Sequence, residues 1–151
     1  MQSAREDVFN ALFALLKTAT PPVSLTWGLV GRRLQHWDNV PPADQPCLFL
    51  QAGPQNASQP TWGLPTWKLQ AQVFIYFRCD GSVSQDYPPD TLVNGFIDAI
   101  ETAVAPQVQG DLQTLGGLVT HCYINGEIMF DSGISDQQGV IVIPIEILSG
   151  V

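Results

Sequence analysis

Between Trp67 and Phe77 every second residue is apolar: Trp67, Leu69, Ala71, Val73, Ile75 and Phe77. An extended backbone turns successive side chains to opposite faces, so these six share one side of a strand. A helix would scatter them around its axis. The other side carries Lys68, Gln70, Gln72, Phe74, Tyr76 and Arg78, beginning polar and ending aromatic. This strand therefore belongs to a sheet whose first face is core and whose second face is partly covered.

The C-terminal segment repeats the pattern. Over Gly139–Leu148, Ile141, Ile143, Ile145 and Ile147 share one face, while Val142, Pro144, Glu146 and Leu148 share the other. Pro144 has no N–H for a ladder, which points to an edge position or a bulge. Upstream, Leu118–Ile124 reads as a strand. Asn125-Gly126 is a strong hairpin signal, predicting that Glu127–Phe130 pairs back on it. Val30–Trp37 and Cys47–Gln51 read as further strands. Between them Pro41, Pro42 and Pro46 exclude regular helix and predict a stiff, extended surface loop over 38–46. Residues 52–66 and 79–89 read as loops rich in glycine and proline.

Two segments change to the helical period. Val8, Leu12, Leu15, Leu16 and Ala19 form one stripe, with Ser3 and Glu6 at capping-box spacing and Pro21-Pro22 as the stop. Phe9 and Phe13 widen the stripe, which suggests contacts on two sides, with the core and with a neighbouring subunit. The second helix runs from a cap at Asp90 or Thr91 to about Ala105, burying Val93, Phe96, Ile97, Ile100 and Val104. The order of helix, strands, helix, strands predicts an α+β fold: a mixed, mostly antiparallel sheet with two helices packed on one face. The 151 residues contain no internal repeat or linker, so one domain over 1–151 is expected.

Charge narrows the partners. Six Lys and Arg oppose fourteen Asp and Glu, a net charge of −8. Affinity for a nucleic-acid duplex comes mainly from cations that displace counterions from phosphates, so specific DNA binding is not expected. Arg32-Arg33 is the one basic pair and reads as solvated, its members on opposite faces of an extended strand. The apolar runs are far shorter than the roughly 20 residues a membrane-spanning helix needs. The start of the chain does not resemble a secretory signal, so synthesis and assembly in cytoplasm are expected. Cys47, Cys79 and Cys122 lie in or beside apolar strands and read as reduced, buried thiols.

Catalytic and cofactor motifs are missing. His121 adjoins Cys122, but neighbours on a strand face opposite ways and cannot easily share a metal ion. His36 has no partner at metal spacing. Gly81-Ser82 lacks the strand-to-helix elbow that exposes a nucleophile. Glu127 and Glu146 are a possible carboxylate pair on neighbouring strands, though polar sheet ends explain them more simply. Gly116-Gly117 lacks the remainder of a phosphate-binding motif. The expectation is a non-enzymatic protein with no cofactor and no metal. The wide helix faces and the long loops point instead to protein assembly, with Phe9, Phe13, Trp62, Pro65 and Tyr87 as candidate contacts with another subunit or partner.

Several stretches together carry a resemblance. They are Arg5-Glu6-Asp7-Val8-Phe9-Asn10-Ala11-Leu12-Phe13, and Arg32-Arg33-Leu34-Gln35-His36-Trp37 leading into Val40-Pro41-Pro42-Ala43-Asp44-Gln45-Pro46. With them go Gln113-Thr114-Leu115-Gly116-Gly117-Leu118-Val119 and Val142-Ile143-Pro144-Ile145-Glu146-Ile147-Leu148. Over most of its length the chain resembles phage minor tail proteins similar to the lambda-like tail terminators. The resemblance implies a virion protein at the head-proximal end of the tail. It implies a homo-hexameric ring that caps the tail tube, ends tube polymerisation and offers a surface to the head-tail connector. It implies no catalytic residues. DNA would pass through the lumen without specific binding, and no membrane is involved. A head-closure or tail-completion neck protein is the nearest alternative, and a small ligand-binding or enzymatic α+β domain is the alternative of another class.

Overall fold

A computed structural model describes residues 4–59, 63, 65–79, 89–108, 110–131 and 137–149. Its elements in chain order are α1 (Ala4–Leu16), β1 (Leu29–Gly31), β2 (Cys47–Ser58), β3 (Thr66–Arg78), α2 (Pro89–Val104), β4 (His121–Ile124), β5 (Met129–Asp131) and β6 (Gln138–Ser149). The six strands form one sheet in the order β1-β2-β3-β6-β4, with β5 also on β6. Among the described residues only β1 and β2 run parallel; every other pairing is antiparallel. The class is α+β, as the alternation of periods predicts.

Both helices lie against one face of the sheet. Leu69, Ala71, Val73, Ile75 and Phe77 of β3 and the four isoleucines of β6 are at most 1% exposed. They share one cluster with Val8, Leu12 and Leu16 of α1 and Leu92, Val93, Phe96 and Ile100 of α2. Each such large side chain contributes about 1.5–3 kcal/mol of burial, which makes the β3–β6 pair the centre of the fold. Pro89 opens α2, where a missing N–H costs nothing. The capping box expected at Ser3 lies outside the described residues.

The second face is half covered. Residues between β1 and β2 do not continue as a strand to Trp37; β1 stops at Gly31 and the chain folds over the sheet. Leu34 and Trp37 pack there against Val40, Cys47, Phe49 and Tyr76. The Tyr76 hydroxyl donates to the Gln35 carbonyl at 2.7 Å. The proline segment is not extended throughout. It holds two single 3-10 turns, Trp37–Asn39 and Pro42–Asp44, and a cis bond at Gln45-Pro46. Apolar side chains won over ladder bonding here, because the aromatic end of β3 offers them a surface.

Two other expectations are corrected. Residues 52–58 of the expected loop are strand: β2 runs on to Ser58, which pairs with Thr66 at the start of β3, and it absorbs Gly53-Pro54 as a bulge. Leu118–Thr120 lies before β4 and not within it. The third and larger correction concerns Asn125-Gly126, which does not turn a hairpin. His121–Ile124 pairs with Leu148–Ile145, and Met129–Asp131 pairs with Val142–Val140. β4 and β5 therefore run the same way along β6, as one edge interrupted by a bulge. The interruption faces Pro144. The Asn125 N–H donates to the Pro144 carbonyl at 3.2 Å. In a strand a residue's N and O point to the same side, so the nitrogen that cannot donate also faces the bulge. Pro144 itself lies in the interior strand β6, and the accommodation is made by its neighbour.

Candidate interaction surfaces

The open part of the second sheet face carries a polar cluster. Glu146, 8% exposed, accepts hydrogen bonds from the Tyr123 hydroxyl and from the Asn125 amide at 2.9 Å. Lys68 Nζ lies 3.5 Å from its other oxygen. The register explains the meeting, since Tyr123 stands opposite Glu146 on β4 while Lys68 lies opposite Leu148 on β3. The Tyr123 hydrogen bond, aided by Lys68, holds the Glu146 carboxyl below its usual range, and the same bond pushes Tyr123 up. A carboxylate held ionised by three donors is a lock between strands. It is poorly suited to general acid work near neutral pH, which needs a raised value.

His121 and Cys122 separate as strand geometry requires. His121 stacks on Tyr123 at 4.7 Å and accepts from the Gln113 N–H at 3.1 Å, while Cys122 is buried on the helix side. Burial pushes the thiols of Cys47 and Cys122 up to about 12. His36 caps its own turn by accepting from the Asp38 N–H. Glu127 and Glu146 are not brought together as a pair. Glu127 lines a groove with Ile128–Asp131, Val140 and Val142, whereas Glu146 belongs to the Tyr123 cluster. Among the described residues no group of three His, Cys, Asp or Glu gathers at metal-binding distance.

The expected contact residues are divided. Phe9 is 3% exposed and part of the core, so it offers no surface. The extra width of α1 is used within the chain: the Arg32 guanidinium sits 5.7 Å above the Phe9 ring, is paired with Glu6 and donates to Asn10 at 2.9 Å. Arg32 is thus not a solvated residue, whereas Arg33 is exposed. Phe13 is half-buried with Lys17 Nζ 4.8 Å over its ring, and Pro65 is half-buried beside the start of β3. Trp62 and Tyr87 lie outside the described residues.

Exposed apolar side chains occur at places the sequence did not single out. Met129 is 65% exposed and Phe130 54%, on the outermost strand beside β6. Val108, Leu112 and Leu118 are exposed on the connection from α2 to β4. At the other end β2 continues past β1 with Gln51–Ser58 almost wholly exposed. Arg5 braces that projection, with Nε 2.9 Å from Gln55 and its guanidinium 4.4 Å above the Trp67 ring.

No family model matches the chain, and no curated protein matches it. Among solved structures, a chain from the virion of a native gene transfer agent particle overlaps it with a TM-score of 0.45 and 12% identity. The overlap covers 97% of this chain and 90% of that one.

Proposed function

We propose that this chain is a structural virion protein of a tailed phage or phage-derived particle, a tail terminator whose six copies close into a ring on the head-proximal end of the tail tube. The ring stops addition of tube protein and presents a docking surface to the head connector. It performs no catalysis. The phage assignment is supported by the terminator-like phrases in the sequence. The assembly role rests on one structural observation: Met129 and Phe130 stand exposed on a sheet edge that pairs with nothing further among the described residues. Soluble proteins normally shield such edges, and one left bare with large apolar side chains fits a partner strand. Phe13, Trp62, Pro65 and Tyr87 are assigned to contacts with tube or connector. The charge of −8 per copy supports passage of DNA through a lumen that does not grip phosphate.

Mixing the purified chain with polymerising tail tube protein tests the reading. The expected result is tubes of arrested length, carrying a ring of six times the monomer mass at one end. Unchanged tube growth, or recovery of the chain only on tailless heads, overturns it; the latter result identifies a head-closure protein.

A further inference from the structure

The two outer strands β1 and β5 are each flanked by an exposed charge, and the two charges are of opposite sign. At one, Met129 and Phe130 of β5 are flanked by Glu127, which is exposed and has no ion-pair partner among the described residues. At the other, Arg33 lies two residues past the end of β1, beyond the Glu6-paired Arg32, and is likewise exposed and unpaired among the described residues. β1 and β5 are each three residues long, and among the described residues each pairs on one side only. We infer that the β5 edge of one copy docks on the β1–Arg33 edge of a second copy, with Met129 and Phe130 as the apolar centre and Glu127 facing Arg33.

Charge selects this pairing over its rivals. Two β5 edges brought together would set Glu127 against Asp131 of the second copy in an antiparallel pairing centred on Met129, and against Glu127 in an in-register parallel one. Two β1 edges would oppose Arg33 to Arg33. Only the head-to-tail combination sets unlike charges face to face. The chain as a whole is acidic, but at physiological salt charges farther apart than about 8 Å are screened, so the local pair decides. A head-to-tail contact uses different surfaces on the two partners and propagates until it closes into a ring or grows as a filament. The inference locates the self-contact of the proposed ring and rests on that reading for closure, while the edge contact itself does not require a phage tail.

Sedimentation velocity and native mass measurement of the full chain over a concentration series test it. Wild type is expected to assemble with an apparent dissociation constant below about 100 µM. Phe130→Asp is expected to remain monomeric with an unchanged circular-dichroism spectrum. Glu127→Arg and Arg33→Glu alone are each expected to weaken assembly about tenfold, and the double reversal to restore it. A wild type that stays monomeric throughout overturns the inference. So does a Phe130→Asp chain that assembles as tightly as wild type, or a double reversal no tighter than either single one. Tube capping that Phe130→Asp leaves intact removes this interface but retains the terminator reading. Edge-dependent assembly without capping does the reverse.

Discussion

The γ-carbon of Pro144 lies 3.1 Å from the position a β-carbon on Gly126 would occupy, and Gly126 itself sits at φ +123°. The two residues solve one problem together. Pro144 withholds a donor from the β4–β5 edge, and the chain opposite bulges through a backbone conformation that L side chains rarely adopt. Gly126→Ala is expected to destabilise the fold by about 1–3 kcal/mol, from backbone strain and the Pro144 contact together. Urea unfolding monitored by tryptophan fluorescence measures it. A change under about 0.3 kcal/mol would mean that the bulge is not held as described.

Glu146 predicts an acid-sensitive lock. Its folded pKa is depressed, so the stability it contributes is complete above its ordinary value of 4.5 and is lost as pH falls through the folded value. Glu146→Gln is therefore expected to be less stable than wild type at neutral pH, with the difference shrinking as pH falls below about 4. Tyr123 shifts the other way. Its contribution is present below its ordinary value of 10 and fades as pH rises through the raised folded value. Tyr123→Phe removes the donor and is expected to raise the Glu146 pKa, which carboxyl-carbon NMR titration reads directly.

Cys47 and Cys122 are at most 1% exposed, and burial raises both thiols to about 12. Thiolate is the reactive form, so neither is expected to react with iodoacetamide at pH 7.5 in the folded chain. Peptide mass mapping should show both modified only after denaturation. Labelling of either in the native protein would contradict its placement.

Gly95 and Gly139 are expected to resist alanine for different reasons. A β-carbon on Gly95 would lie 2.5 Å from Pro22 Cβ, so the turn after α1 rests on the backbone of α2. Alanine gains about 1 kcal/mol in helix propensity, and the clash must exceed that for the variant to be less stable. A net loss of about 1–2 kcal/mol is expected, because Pro22 is rigid and adjoins positive-φ residues at Val23 and Ser24. On Gly139 the new atom would fall 2.2 Å from the Phe77 ring, which lies across the strand pair. A loss of about 3 kcal/mol or more is expected, read as a fall in thermal midpoint.

Much of the fold was legible before any coordinates. The β3 and β6 faces and both helices follow from apolar spacing, because a period of 2 or 3.6 is a local property of the chain. Errors fell where two local rules competed. Asn125-Gly126 is a turn signal and also a bulge signal, and its partner decides which. That partner is Pro144, eighteen residues on, which in sequence marks an edge position or a bulge; it lies in the interior strand β6, and the bulge is in the chain opposite. The Trp37 region failed similarly: β-prone residues formed a cover for Tyr76 in place of a strand.

The candidate surface was less legible. Phe9 and Phe13 are alike in sequence, yet Arg32 draws the α1 surface at Phe9 into the chain and Phe13 is left half-open. Met129 and Phe130 gave no periodic signal, since exposure on a short edge strand depends on what the rest of the sheet leaves uncovered. Composition and spacing by themselves determined the α+β class, the core faces of β3, β6 and α2, and the acidity. Only the tertiary structure decided strand order, the merging of β4 and β5 into one edge, and which apolar residues stay outside. The reason is physical. A strand's two faces are set by its own alternation, but its two edges are set by whichever strand arrives beside it.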